Sequence, residues 1–229
     1  MQTVDAEFPG DYFLKRPLDI LLSVVVILMT LPLLLLIFCL IKVESKGPSF
    51  FLQTRVGRYF KPFRIYKFRT MCQGVRGRYP GITTRNDQRI TRFGRFLRRY
   101  KFDEIPQFFN VLKGEMSIVG PRPEVPQFVH INPEEKEVLR LRPGITDWAS
   151  LVFADESRYL EDPETAEKYY IERILPVKHK LNLWYARNMS LRTDLKIIML
   201  TVLLCLGYDR LHDRLNHECL EKSQTAIEF

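Results

Sequence analysis

From Ile20 to Ile41 the chain reads ILLSVVVILMTLPLLLLIFCLI, twenty-two residues without a charge. About 20 apolar residues suffice to span a bilayer core as a helix, so this stretch directs the chain to lipid. A cleaved leader fits poorly, because its apolar part would run about 7–15 residues before small residues at the cut, and here Lys42-Val43-Glu44 follow. Pro32 stands near the middle, where it removes a backbone donor and pushes Leu31 away from helical angles. The segment is therefore expected to bend or break at Leu31-Pro32. Basic residues flank it on both sides, Lys15-Arg16 before and Lys42 and Lys46 after, so a straight crossing leaves one basic flank outside, against the positive-inside tendency. A re-entrant helix–break–helix hairpin keeps both flanks on one side, with the Thr30 hydroxyl serving backbone groups freed at the break. A kinked ordinary span is the alternative.

Basic residues outnumber acidic ones by 35 to 27, and the excess is local. Between Phe51 and Lys101 stand fifteen Lys/Arg and one acidic residue, Asp87. Such a block is a docking surface for something anionic. The four cysteines, Cys39, Cys72, Cys205 and Cys219, show no paired spacing, which argues against a disulfide framework or a zinc site. The run from His212 to Cys219 matches no usual metal finger and reads as a polar tail.

Beyond the apolar segment, Ser49–Val56 and Pro62–Thr70 read as a β-hairpin. Met71–Asn86 is Gly- and Arg-rich without periodicity, a loop of a length that is often functional. Arg89–Tyr100 places Ile90, Phe93, Phe96 and Leu97 near helical spacing among arginines, an amphipathic helix suited to anionic lipid. Asp103-Glu104-Ile105-Pro106 opens, and Lys113-Gly114 closes, a helix of about ten residues. Glu134–Leu141, Pro163–Arg173 and Val177–Met189 read as helices. Leu195–Leu206 is too short to span and is either interfacial or buried. The expected fold is mostly α with a small β-hairpin.

Asp103 and Glu104 are adjacent, so on a helical turn they point about 100° apart. The positive helix end and the upstream arginines, Arg98 among them, favour ionised carboxylates. An ionised Asp can attack an electrophile and an ionised Glu can hold Mg²⁺; a simple cap and dipole partner is the bland alternative. In Gly120-Pro121-Arg122-Pro123 the flanking prolines stiffen the backbone that presents Arg122, whose planar fork suits a phosphate. Arg142-Pro143-Gly144 repeats the theme with Arg142. Strand alternation puts Lys67 and Arg69 on one face, as a cationic rim or a solvated one.

At these residues the chain resembles the bacterial sugar transferases, the monotopic phosphoglycosyl transferases that begin lipid-linked glycan assembly. The matching segments are KRPLD at Lys15–Asp19, QTRVGRYFKPFRIYKFRTM at Gln53–Met71, TRFGRFLRRYKFDEIPQFFNVLKGEMSIVGPRP at Thr91–Pro123 and RPGITDWASL at Arg142–Leu151. The resemblance implies a re-entrant helix on the cytoplasmic face of the bacterial inner membrane, with interfacial helices and a compact catalytic domain. It also implies Mg²⁺-dependent transfer of a phospho-sugar from a UDP-sugar to polyprenyl phosphate, with release of UMP. Asp103 would be the nucleophile, Glu104 its metal-associated partner, and Arg122 a phosphate contact. Lys67 and Asp194 fall in shared motifs. Two segments depart from the family's usual pattern: Leu31-Pro32 stands where Ser-Pro is frequent, and Asp147 and Ser150 stand where RPGITGWAQ is frequent.

The resulting division is a flank and membrane helix over 1–47, a catalytic domain over 48–208 and a polar tail over 209–229. The resemblance implies a UDP-sugar and polyprenyl phosphate as partners, the basic amphipathic stretch suits anionic membrane lipid, and a homodimer is compatible with the chain. Fifteen cations among aromatics also describe a nucleic-acid binder, but Pro-clamped arginines and an Asp-Glu pair beside a membrane dip do not belong in such a groove. An inactive scaffold of a glycan-assembly complex is a further alternative, which the intact Asp-Glu pair disfavours.

Overall fold

The computed structural model describes residues 11–72, 87–129, 133–154, 160 and 165–208. Most of the Met71–Asn86 loop and the tail from 209 onward lie outside the described residues.

The apolar segment forms one helix, α1 (Lys15–Glu44), whose helical assignment runs through Leu31 and Pro32. The expected break into two helices is not formed. Pro32 deprives only the carbonyl four residues back of its donor, and in an apolar run every other backbone bond is better kept than released where no water can replace it. Thr30, expected to serve the freed group, donates instead to the Val26 carbonyl at 2.7 Å. One stripe of α1 is buried, formed by Lys15, Asp19, Ser23, Leu34, Ile37 and Ile41. Only 22% of its most apolar window is covered by the rest of the protein. The remaining Leu, Ile and Val surface calls for an apolar medium.

Both ends of α1 hold the same body. Near its start, Lys15 bonds to Val119 and Asp194, Arg16 to the Leu112 carbonyl, and Asp19 accepts from Ser117 and from the Ile118 N–H. Near its end, Leu34, Ile37 and Ile41 pack with Phe68 and Leu97, and Ser49 donates to the Phe38 carbonyl.

The expected hairpin is present as β1 (Phe50–Val56) antiparallel to β2 (Pro62–Phe68), with Phe51 opposite Lys67 and Arg55 opposite Phe63. Its turn carries two left-handed residues, Tyr59 and Phe60. Next come α2 (Arg92–Arg99), a 3₁₀ turn (Phe102–Glu104) and α3 (Gln107–Lys113). The single helix expected from Asp103 is thus a tight turn followed by a shorter helix. A second pair, β3 (Ser117–Val119) parallel to β4 (Gly144–Thr146), was not legible, because three residues are too few to show a period of two.

The expected helix at Glu134–Leu141 appears as α4 (Pro133–Val138), and α5 (Trp148–Val152) follows β4. The two helices expected on either side of Pro176 are joined. α6 (Ala166–Tyr169) passes through a π-helical turn at Tyr170–Ile174 into α7 (Leu175–Arg187), the wider turn taking up the missing Pro176 donor. In α8 (Leu191–Cys205), Ile197 and Leu200 enter the core while Leu195, Met199 and Val202 stay more than half exposed. It is buried on one face and bare on the other. The main core gathers Val111, Met116, Trp148, Leu181, Tyr185 and Ile197.

Gly120 and Gly144 approach too closely for any side chain. A Cβ on Gly144 would stand 2.2 Å from the Gly120 nitrogen, and one on Gly120 would stand 2.4 Å from the Arg142 carbonyl oxygen. The stiff turns bearing Arg122 and Arg142 therefore interlock at these glycines.

Candidate active site

The site assembles where β2, the 3₁₀ turn and the loop after β3 converge. Asn110 inside α3 fixes the first two relative to each other: its amide donates to the Arg64 carbonyl and its oxygen accepts from the Tyr66 N–H, which pins β2 against α3. Lys67, one residue further along β2, then reaches Glu104 Oε1 at 2.7 Å. Arg122 reaches the same oxygen at 2.5 Å through Nη2. Lys101 precedes the turn in a left-handed conformation (φ 57°), a strained geometry of the kind that gathers at functional sites.

Asp103 differs from its neighbour. It is 7% exposed, makes no hydrogen bond among the described residues, and its Oδ1 is fully enclosed. Buried polar atoms are rarely left so. Burial, then the charge of Glu104, raises the Asp103 carboxyl above its ordinary value, against the pull of Lys67, Arg98 and Lys101. For Glu104 burial also acts upward, but Arg122, Lys67 and Lys101 outweigh it and hold the carboxyl well below the usual range. The two carboxyls, both expected to be ionised, are pushed apart by their surroundings. Burial lowers the Lys67 pKa, opposed chiefly by Glu104.

Arg98 stands beside this group, its Nε bonded to the Thr70 hydroxyl at 2.9 Å and its charge felt by Asp103. Three other candidates are placed elsewhere. Arg69 lies one residue past the end of β2, so strand alternation no longer governs it; it bonds to Ser45 and to the Lys46 carbonyl at the end of α1. Arg142 turns to Asp11 and to the Gly114 carbonyl. Asp194 is buried with Lys15, Tyr12 and Tyr185.

Sequence reasoning missed the role of Asp147, noted only as a departure. It caps α5 through the Ser150 N–H at 2.6 Å, and its other oxygen accepts from the backbone N–H of Arg122 at 3.1 Å. It thereby ties the Arg122 loop to α5. Asp immediately before an apolar run is a cap signal that could have marked it. Arg122 borders a solvent-open cleft that Lys178, His179 and Asn182 also line.

The donor chemistry is of the hard-oxygen kind that Mg²⁺ takes. Two neighbouring carboxylates offer hard oxygens, and Asp103 Oδ1 lacks a partner. Among the described residues no group of three or more potential metal ligands exists, so any further ligands would come from phosphate and water, as this ion ordinarily takes them.

The chain thus joins an apolar helix, long enough to cross a membrane, to a body that sets a buried carboxylate beside converging cations. A sequence model of the bacterial sugar transferases matches residues 10–207, and the chain belongs to that family. It is 40% identical over 194 residues to a UDP-N-acetylgalactosamine-undecaprenyl-phosphate N-acetylgalactosaminephosphotransferase of Aeromonas hydrophila, covering 83% of this chain and 43% of that protein. It is 37% identical over 196 residues to the UDP-glucose:undecaprenyl-phosphate glucose-1-phosphate transferase of Escherichia coli K12, covering 82% of this chain and 39% of the relative. The chain thus spans about two-fifths of the length of these two relatives. It is also 37% identical over 201 residues to the exopolysaccharide production protein PSS of Rhizobium leguminosarum, covering 84% of this chain and 94% of that protein.

Proposed function

We propose that this chain transfers a sugar-1-phosphate from a UDP-sugar to a membrane polyprenyl phosphate, releasing UMP and starting a lipid-linked glycan. The observation that carries this reading is the enclosed, unpartnered Asp103 carboxylate beside a Glu104 clamped by Lys67 and Arg122. The relatives named for UDP-sugar and undecaprenyl-phosphate substrates supply the substrate classes.

In the first displacement an Asp103 oxygen attacks the sugar-bearing phosphorus; the bond to the bridging oxygen breaks, and UMP leaves with that oxygen and its electron pair. In the second, an oxygen of the lipid phosphate attacks the same phosphorus, the bond to Asp103 breaks, and the free carboxylate returns. Arg122 and Lys67 lower the repulsion between two anions brought together, and Glu104 holds both cations in place. Asp103 and Glu104 would hold Mg²⁺, which when bound neutralises charge on the diphosphate. Purified protein given Mg²⁺, polyprenyl phosphate and a panel of UDP-sugars is expected to release UMP with at least one of them. Silence across the panel refutes the reading.

Because attack needs the ionised form of a carboxyl whose pKa is raised, formation of the phospho-sugar adduct is expected to fail on acidification sooner than an ordinary aspartate would. Its acid limb should lie above about pH 3.9. A rate unchanged down to that pH counts against Asp103 as the group that must ionise.

We infer, too, that both ends of α1 lie on one face of the membrane, the cytoplasmic one. What supports this is that Lys15, Arg16 and Asp19 at its start and Leu34, Ile37 and Ile41 at its end all hold one body; a crossing helix would carry its ends to opposite sides. The exposed Arg92, Arg95, Arg99 and Phe96 of α2 suit anionic lipid beside it. Tags at Met1 and Phe229 are expected to resist an impermeant label in intact cells. Labelling of either from outside overturns the one-sided topology.

A further inference from the structure

We propose that Arg55 binds a substrate phosphate, as a third cation beside Lys67 and Arg122, an assignment that rests on the phosphoryl-transfer reading above.

The register of the hairpin carries the argument. Side chains alternate across a strand, so Phe51, Gln53 and Arg55 of β1 share the face of Phe63, Ile65 and Lys67 on β2. This is the face from which Lys67 meets Glu104. Arg55 Nη1 donates to the Pro123 carbonyl at 3.0 Å, beside Arg122, while its Nε and Nη2 both donate to Gln53 Oε1, at 3.1 and 2.7 Å. All these acceptors are neutral.

The contrast with its neighbours is one of charge. Lys67 and Arg122 both direct their charge at Glu104. Arg55 has no carboxylate at ion-pair distance among the described residues: its contacts are the two neutral groups just given, and Glu124, the carboxylate it feels most, accepts a hydrogen bond from the Tyr170 hydroxyl. Three of the five guanidinium N–H bonds are engaged, which leaves two for a ligand. A half-buried cation, held in one rotamer by neutral groups, has its ordering cost met before the ligand arrives. A phosphate supplies both the missing charge and a fit to the planar fork. Two phosphate sources share this chemistry, the nucleoside diphosphate of the donor and the lipid phosphate of the acceptor. A purely mechanical role, stapling β1 to the Arg122 loop, predicts different behaviour.

The test is thermal unfolding of the full chain in detergent, with UDP or a short-chain polyprenyl phosphate titrated separately, for wild type, Arg55→Met and Arg55→Lys. Without ligand, Arg55→Met is expected to melt no lower than wild type by more than about 2 °C, since it removes an unbalanced charge. It should need about 10- to 100-fold more ligand for the same upward shift. Arg55→Lys should recover part of the response, keeping charge but losing the fork. A loss confined to UDP assigns Arg55 to the donor, and one confined to polyprenyl phosphate assigns it to the acceptor. Wild-type midpoints for both ligands in Arg55→Met overturn the assignment, whether or not its melting temperature falls. If Arg55→Met does not fold, Arg55→Lys decides by the same midpoints, unchanged values overturning the proposal. A wild type that binds and turns over neither substrate overturns the phosphoryl-transfer reading itself and Arg55 with it.

Discussion

Asp103→Asn is expected to cut UMP release on the order of 10⁴-fold or more, the scale seen when a covalent nucleophile is removed. The amide has nearly the shape of the carboxylate and sits in a place where Oδ1 makes no bond to lose, so folding should be spared. Its oxygen carries no full negative charge and cannot be expelled again as a carboxylate. Wild type mixed with the right UDP-sugar, without acceptor, should gain the mass of one sugar phosphate; the variant should gain none. Glu104→Gln should behave otherwise. It frees Lys67 and Arg122 and removes the charge that helps to raise the Asp103 carboxyl, so the acid limb of its residual rate should move to lower pH. Turnover within tenfold of wild type in Asp103→Asn would remove the aspartate from the chemistry.

Lys15→Met is the second large effect, and it concerns stability. Lys15 and Asp194 are 4% and 5% exposed, with their charges 2.6 Å apart. Lys15 also donates to the Val119 carbonyl and to Tyr185, and Asp194 accepts from Tyr185 and Tyr12. Removing one partner leaves a buried charge uncompensated, which costs about 3–5 kcal/mol. In a chain of this size that is a drop of about 10 °C in melting temperature. Adding Asp194→Asn, which removes the other charge, should restore part of the loss. A single variant within 1 °C of wild type would show that the pair does not anchor the start of α1.

Much of the site was legible because its residues announce their chemistry locally. The Pro-flanked Arg122 and the adjacent Asp103-Glu104 can be picked out without knowing where they meet. What a linear reading lacks is the partner. Arg69 and Lys67 share a parity in the sequence, yet β2 ends at Phe68, and Arg69 turns to the end of α1. Asp194 has the type of a catalytic carboxylate, and only the fold shows it facing Lys15 from 179 positions away. Arg55 sat unremarked among fifteen cations, because its lack of an acidic neighbour is a three-dimensional fact. The hairpin and most helices followed from periodicity and punctuation. The continuity of α1 through Pro32 did not, since proline's local penalty was opposed by an apolar setting in which broken backbone bonds find no solvent. The β3–β4 pair was too short to carry a pattern.

The contact between Gly120 and Gly144 bears on how the site responds when charge shifts during a reaction. With the two arginine turns joined backbone to backbone, and with Asp147 holding the Arg122 N–H from α5, the dipoles around Arg122 have little room to relax. An environment that cannot rearrange must be aligned before the event. Little reorganisation energy then remains to be supplied at the barrier, and even a methyl group at Gly144 would reintroduce it.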